Sequence, residues 1–166
     1  AFKINKSRLF SIRYHIILTF FALGQHEKVL LNCEVLKQYG KSEQHRDLQL
    51  FSNLLRVISN LELGNYDPLE RFVTSTRNNL STAHSAPDFE RIALTYLSQL
   101  ADLYLQNMTA PRLWQKTLMP VLRGFQQAME DYAASGPPRI PLGFEETLIW
   151  VKSKTTGKPF QELMCA

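Results

Sequence analysis

Cysteine is almost missing from this 166-residue chain: Cys33 and Cys165 are the only two. So far apart, with one of them penultimate, they do not form the bridge framework that staples small secreted domains. The chain must rely on a hydrophobic core, and it suits a reducing compartment, read here as the cytoplasm. Long apolar runs are missing too. The longest, Ile16 to Leu23, is interrupted by Thr19 and closed by Gly24, far short of the roughly 20 residues that span a bilayer. Basic residues precede that run as in a secretion signal, but no small-x-small cleavage pattern follows it, so it reads as the buried stripe of a helix. A piece of a longer protein is the expectation for a chain that starts at Ala1.

Acid is absent ahead of Glu27, whereas Lys3, Lys6, Arg8 and Arg13 all precede it. Past that point basic and acidic residues are equal in number, so the net charge of +4 resides in the first segment. A basic end is able to meet a phosphate backbone, which makes nucleic-acid binding an alternative function. Catalytic and metal-binding patterns are also missing. Gly40-Lys41-Ser42 copies the end of a phosphate-binding loop, yet Val35 stands where its first glycine belongs. His45-Arg46-Asp47-Leu48 copies a kinase catalytic loop, but Ser52 replaces the asparagine required five residues after the aspartate. The four histidines, His15, His26, His45 and His84, are scattered, and no HExxH or Cys/His quartet occurs. Glu145-Glu146 and Glu130-Asp131 are neighbours that point apart on a helix. No enzyme, cofactor or metal is expected.

What is present is 45% hydrophobic and 20% charged sequence with helical spacing throughout, which predicts an all-α chain. Ser11 to Leu23 is a helix stopped by Gly24; Val29, Leu30, Cys33 and Leu36 mark a second, ended near Gly40. Leu48, Phe51, Leu54, Leu55, Ile58 and Leu61 share one side of a third helix from about Gln44 to Leu63. Gly64 stops it, and Asp67-Pro68-Leu69-Glu70 supplies an N-cap, a first-position proline and an acid for a fourth helix running to about Leu80. Overlaying residues 13–33 on 53–73 pairs Gly24 with Gly64, Ile17 with Val57, His26 with Tyr66 and Val29 with Leu69. That is a repeated hairpin, and stacked hairpins that cannot bury their stripes alone form a solenoid.

Further helices are expected from Ser85-Ala86-Pro87-Asp88 to about Gln106, and after Thr109-Ala110-Pro111, the latter kinked or broken near Met119 by Pro120 and Gly124. The organisation predicted is one domain: two hairpins over 1–81, a long helical pair over 82–135, a proline-rich connector over 136–143 and a cap over 144–166 that closes the stack. Trp114 and Trp150 are read as core or cap residues.

The stretch Asp47 to Leu100 resembles the C-terminal region of uncharacterised bacterial tetratricopeptide-repeat proteins. The phrase carrying it is Glu62-Leu63-Gly64-Asn65-Tyr66-Asp67-Pro68-Leu69-Glu70, followed by Ser75-Thr76 and by Phe89-Glu90. The resemblance implies a TPR-like α-α superhelix, a scaffold for protein or peptide binding, and no catalytic residues. Its forty-residue shift is longer than the usual period of about 34. If the first helix of each hairpin lines a concave face, the polar side of the third helix, Gln49, Asn53, Arg56 and Asn60, is the candidate partner-binding set. A structural dimerisation unit is the other alternative function.

Overall fold

The first helix is closed at Gly24 and the third at Gly64 through the same turn. The N–H of Gly24 donates to the Phe21 carbonyl (3.0 Å) and that of Gln25 to Phe20 (2.9 Å); Gly64 donates to Leu61 (3.3 Å) and Asn65 to Asn60 (3.0 Å). This double closure needs a left-handed residue at the stop, and the two glycines have φ of +66° and +68°. The computed structural model describes residues 6–39, 46–80, 88–107 and 114–164. Among them are eight helices and no strand: α1 (Lys6–Ala22), α2 (His26–Tyr39), α3 (Arg46–Leu63), α4 (Tyr66–Leu80), α5 (Asp88–Asn107), α6 (Trp114–Ala134), α7 (Phe144–Thr156) and α8 (Phe160–Met164). No described helix is long and apolar enough to cross a membrane.

Identical turns give identical exits. Helix α2 begins at His26 and α4 at Tyr66, the positions the overlay pairs. Helix α4 thus starts ahead of Asp67, the expected N-cap, and Pro68 falls third in the helix. Proline is tolerated there because first-turn N–H groups have no intrahelical partner. The paired Val29 and Leu69 are both fully buried. Helix α1 starts earlier than the predicted Ser11, and the proposed starts at Ser85–Pro87 and Thr109–Pro111, like Gly40–Ser42, His45, His84 and Cys165, lie outside the described residues.

Neighbouring helices run antiparallel. Arg13 meets Asn32 across α1 and α2, and His26 meets Ser59 while Glu34 meets Arg56 across α2 and α3. Tyr96 stacks on Phe125 (5.1 Å, 5° between planes) across α5 and α6. Helix α6 passes through Pro120 without the expected break. Pro120 faces solvent, where water satisfies the carbonyl that loses its donor. Gly124 is a packing residue, since a Cβ there would lie 3.3 Å from the Tyr96 ring.

The core centres on α3, whose Phe51, Leu54, Leu55 and Ile58 are at most 1% exposed. Helix α7 does not cap the end of the stack as the sequence predicts. It packs beside α6 and reaches α1, α3 and α5 through the side-chain contacts Tyr14–Glu146, Glu62–Trp150 and Phe89–Phe144, and α8 returns Phe160 to Phe21 of α1 (5.2 Å).

The paired glycines differ in surroundings. A Cβ at Gly24 meets nothing within 4 Å, whereas one at Gly64 would fall 2.3 Å from the Tyr104 hydroxyl. Gly24→Ala is expected to cost about 1–2 kcal/mol, the left-handed strain alone, and Gly64→Ala more. In urea unfolding the excess should shrink when Tyr104→Phe removes the clashing oxygen.

Candidate functional site: a groove filled by the C-terminal helix

Local sequence makes α7 a well-bounded helix. Glu145 and Glu146 lie in its first turn and Lys154 in its last, matching the dipole at both ends. Gly157 (φ +72°) caps it, its N–H donating to the Ser153 carbonyl (3.0 Å). Gly143 ahead of it has φ +86° and lies so close to α3 that a Cβ would sit 3.3 Å from the Phe51 ring. The proline-rich stretch of 136–143 therefore ends in a glycine that lets α7 enter the groove.

Two aromatic side chains anchor the helix. Phe144, 4% exposed, packs against Phe89 of α5 (5.4 Å) and Tyr132 of α6 (5.7 Å). Trp150, 6% exposed, donates its indole N–H to Glu62 of α3 (2.6 Å). Lys154 pairs with the same Glu62 oxygen, so one half-buried carboxylate receives two α7 donors. Along the rim Lys152 pairs with Glu130 (3.2 Å) and the Thr155 hydroxyl donates to Gln126 (2.7 Å). The Gln126 amide and Lys152 hold the Glu130 carboxyl below its ordinary range. On the α1 side the Tyr14 hydroxyl donates to Glu146 (3.4 Å). Burial, then the Glu146 charge, pushes Tyr14 up to about 12, and burial also raises Glu146.

Where α7 ends, a cleft of about 340 Å³ opens between the Gly24 turn and α8, lined by Phe21, His26, Glu62, Trp150, Lys154 and Phe160 among others. That is the low end of the range for small-molecule pockets. His26 approaches the Ser59 hydroxyl (3.2 Å) and sits edge-on to Phe21 (5.6 Å). Burial lowers its pKa, Glu62 opposes that shift and Lys154 adds to it. Ser59 is fully buried, so the His26–Ser59 pair is closed to a substrate. Cys33 is a free, buried thiol, raised by burial away from the reactive thiolate form. Among the described residues no three His, Cys, Asp or Glu side chains gather as a metal site.

The polar side of α3 does not line this groove. Arg56 pairs with Glu34 of α2 (3.2 Å), on the face away from α7, and Asn53 is exposed. Asn60 is 7% exposed and internally used: its amide donates to the Arg56 carbonyl (2.8 Å) and accepts from Asn65 (2.9 Å). Asn60 therefore clasps the Gly64 turn and is closed to a partner. The side chains of Gln49 and Trp114 lie outside the described residues. The groove contacts are instead the apolar Phe51 and Leu54 with Glu62 at the end. Glu62 carried one sequence signal: it opens the Glu62–Glu70 phrase, two residues ahead of the helix-stopping Gly64.

The chain matches no protein-family model, curated protein or solved structure.

Removing Glu62 leaves the Trp150 indole N–H buried without an acceptor, which costs about 1–3 kcal/mol. Glu62→Ala should lower the unfolding free energy obtained from urea titration by that amount, and adding Trp150→Phe should recover part of it. The folded chain disfavours charged His26, so the unfolded chain binds that proton more readily. The stability is complete above pH 6.5 and falls as pH drops below it. The fall in urea midpoint between pH 7.5 and pH 5 should be smaller in His26→Gln than in wild type; an equal fall would assign it to other groups.

Proposed function

We propose that this chain is a non-catalytic helical-repeat scaffold of the TPR-like kind, whose groove accepts an amphipathic helix of a protein partner. One observation carries the reading: the groove already holds a helix in the manner of a ligand. Helix-in-groove recognition uses a few apolar anchors on one face with polar contacts at the rim. Phe144 and Val151, seven residues apart, supply anchors on one face with Trp150 at its edge; Lys152, Lys154 and Glu146 supply the rim. A partner helix with apolar residues at those spacings and lysines at its end would take the seat of α7. The reading sets the chain in a reducing compartment such as the cytoplasm, which the free Cys33 supports. The nucleic-acid alternative has less support, because Arg13, one of its four cations, is engaged by Asn32 (2.8 Å).

The test uses a chain ending at Pro138, shown to be helical by circular dichroism, titrated with a fluorescent peptide of residues 142–158. Saturable binding is expected, weakened about tenfold or more when the peptide carries Trp150→Ala. A folded truncated chain that does not bind the peptide would remove the groove from consideration.

A further inference from the structure

The cleft of about 340 Å³ beside the Gly24 turn is distinct from the α7 seat, although α7 supplies one of its walls. Its apolar lining is aromatic: Phe21 of α1, Trp150 of α7 and Phe160 of α8. Phe160 stands edge-on to Phe21, with 90° between the rings. The polar floor is the half-buried Glu62 of α3. Its Oε1 receives both the Trp150 indole N–H and the Lys154 ammonium, and among the described residues no donor bonds Oε2. Glu62 therefore brings spare acceptor capacity to the cleft.

The electrostatics left over after pairing are negative. Lys154 is matched by Glu62, and Lys158 on the rim is matched by Glu162 (3.4 Å). Burial holds the His26 imidazole below its ordinary pKa, so the ring adds no cation at neutral pH. Two helices end at the wall, α1 at Gly24 and α7 at Gly157. Each such end carries a partial negative charge of roughly half an electron, and α1 has no basic residue in its last turn to offset it. Aromatic ring faces are electron-rich as well and attract cations. An anion here would meet Glu62 and two helix ends. A cation meets an unused acceptor, the same helix ends and the ring faces, and an ammonium, that of Lys154, is the charged group Glu62 holds.

We propose that this cleft is a binding site for a small organic ammonium, a charged primary amine with a flat apolar body: the ammonium bonds Glu62 beside Lys154, and the body lies among Phe21, Trp150 and Phe160. The site requires α7 in place, because Trp150 and Lys154 belong to it. It is thus separate from the groove that a partner helix would enter.

The test is isothermal titration calorimetry of the full chain at neutral pH with probes of one shape and different charge: phenethylammonium, phenethyl alcohol and phenylacetate. Saturable binding of the ammonium is expected, about tenfold or more tighter than that of the alcohol or the carboxylate. Glu62→Gln, which keeps an acceptor for the Trp150 indole, should weaken the ammonium about tenfold while circular dichroism stays unchanged. Should that variant misfold, Phe160→Ala, at a partly buried position on the edge of the core, should weaken it in the same direction. Lys154→Met separates the two signs of charge: an ammonium gains affinity when the competing cation is removed, whereas an anion loses it. The proposal is overturned if no probe binds saturably, if the alcohol or phenylacetate binds as tightly as the ammonium, or if Lys154→Met weakens the ammonium. Ammonium binding left unchanged by Glu62→Gln, or by Phe160→Ala in its place, overturns it equally.

Discussion

Helix α3 has almost no solvent side, and the rest of the molecule is arranged by that constraint. One face packs on α2 through Ser52, Arg56 and Ser59, and the opposite side takes α7 through Phe51, Leu54 and Glu62. A helix buried on several faces cannot leave polar groups without partners. That is why Asn60 turns inward to its own helix and to Asn65, and why Glu62 collects the Trp150 indole and Lys154 together. Were α7 absent, the Phe51 and Leu54 side of α3 would face water, so the helix in the groove completes the core.

Magnitudes rank the contacts that hold α7. Burying an aromatic side chain of the size of Phe144 or Trp150 is worth about 1.5–3 kcal/mol. The Lys152–Glu130 pair, with both side chains 38% exposed, belongs to the class worth about 0–1 kcal/mol. Affinity for a helix in this groove therefore comes from the two aromatic anchors. The ion pairs and the Glu62 acceptor set direction and register, because they work only when α7 runs the same way as α3. The Tyr14–Glu146 contact ties this seat to the first helix, across 132 positions of sequence.

Local chemistry was legible in the sequence. The stops at Gly24 and Gly64, the equivalence of Val29 with Leu69, the apolar side of α3, the proline-rich connector and the boundaries of α7 depend on residues within a turn or two of each other, so spacing alone determines them. The start of α4 was read two residues late because a proline after an aspartate is as acceptable in the third helical position as in the first. Of the kink or break expected near Met119, the break did not occur: α6 continues through Pro120, whose exposed side lets solvent satisfy the carbonyl that loses its donor. The destination of α7 was not legible, nor was the fate of the polar side of α3. Periodicity separates an apolar stripe from a polar one but does not say which neighbour each will meet, and in a central helix part of the polar side is covered too. Helix formation is decided by neighbours in sequence. Whether the last helix caps a stack or fills its groove is decided by packing between segments more than a hundred residues apart, which only the tertiary structure brings together.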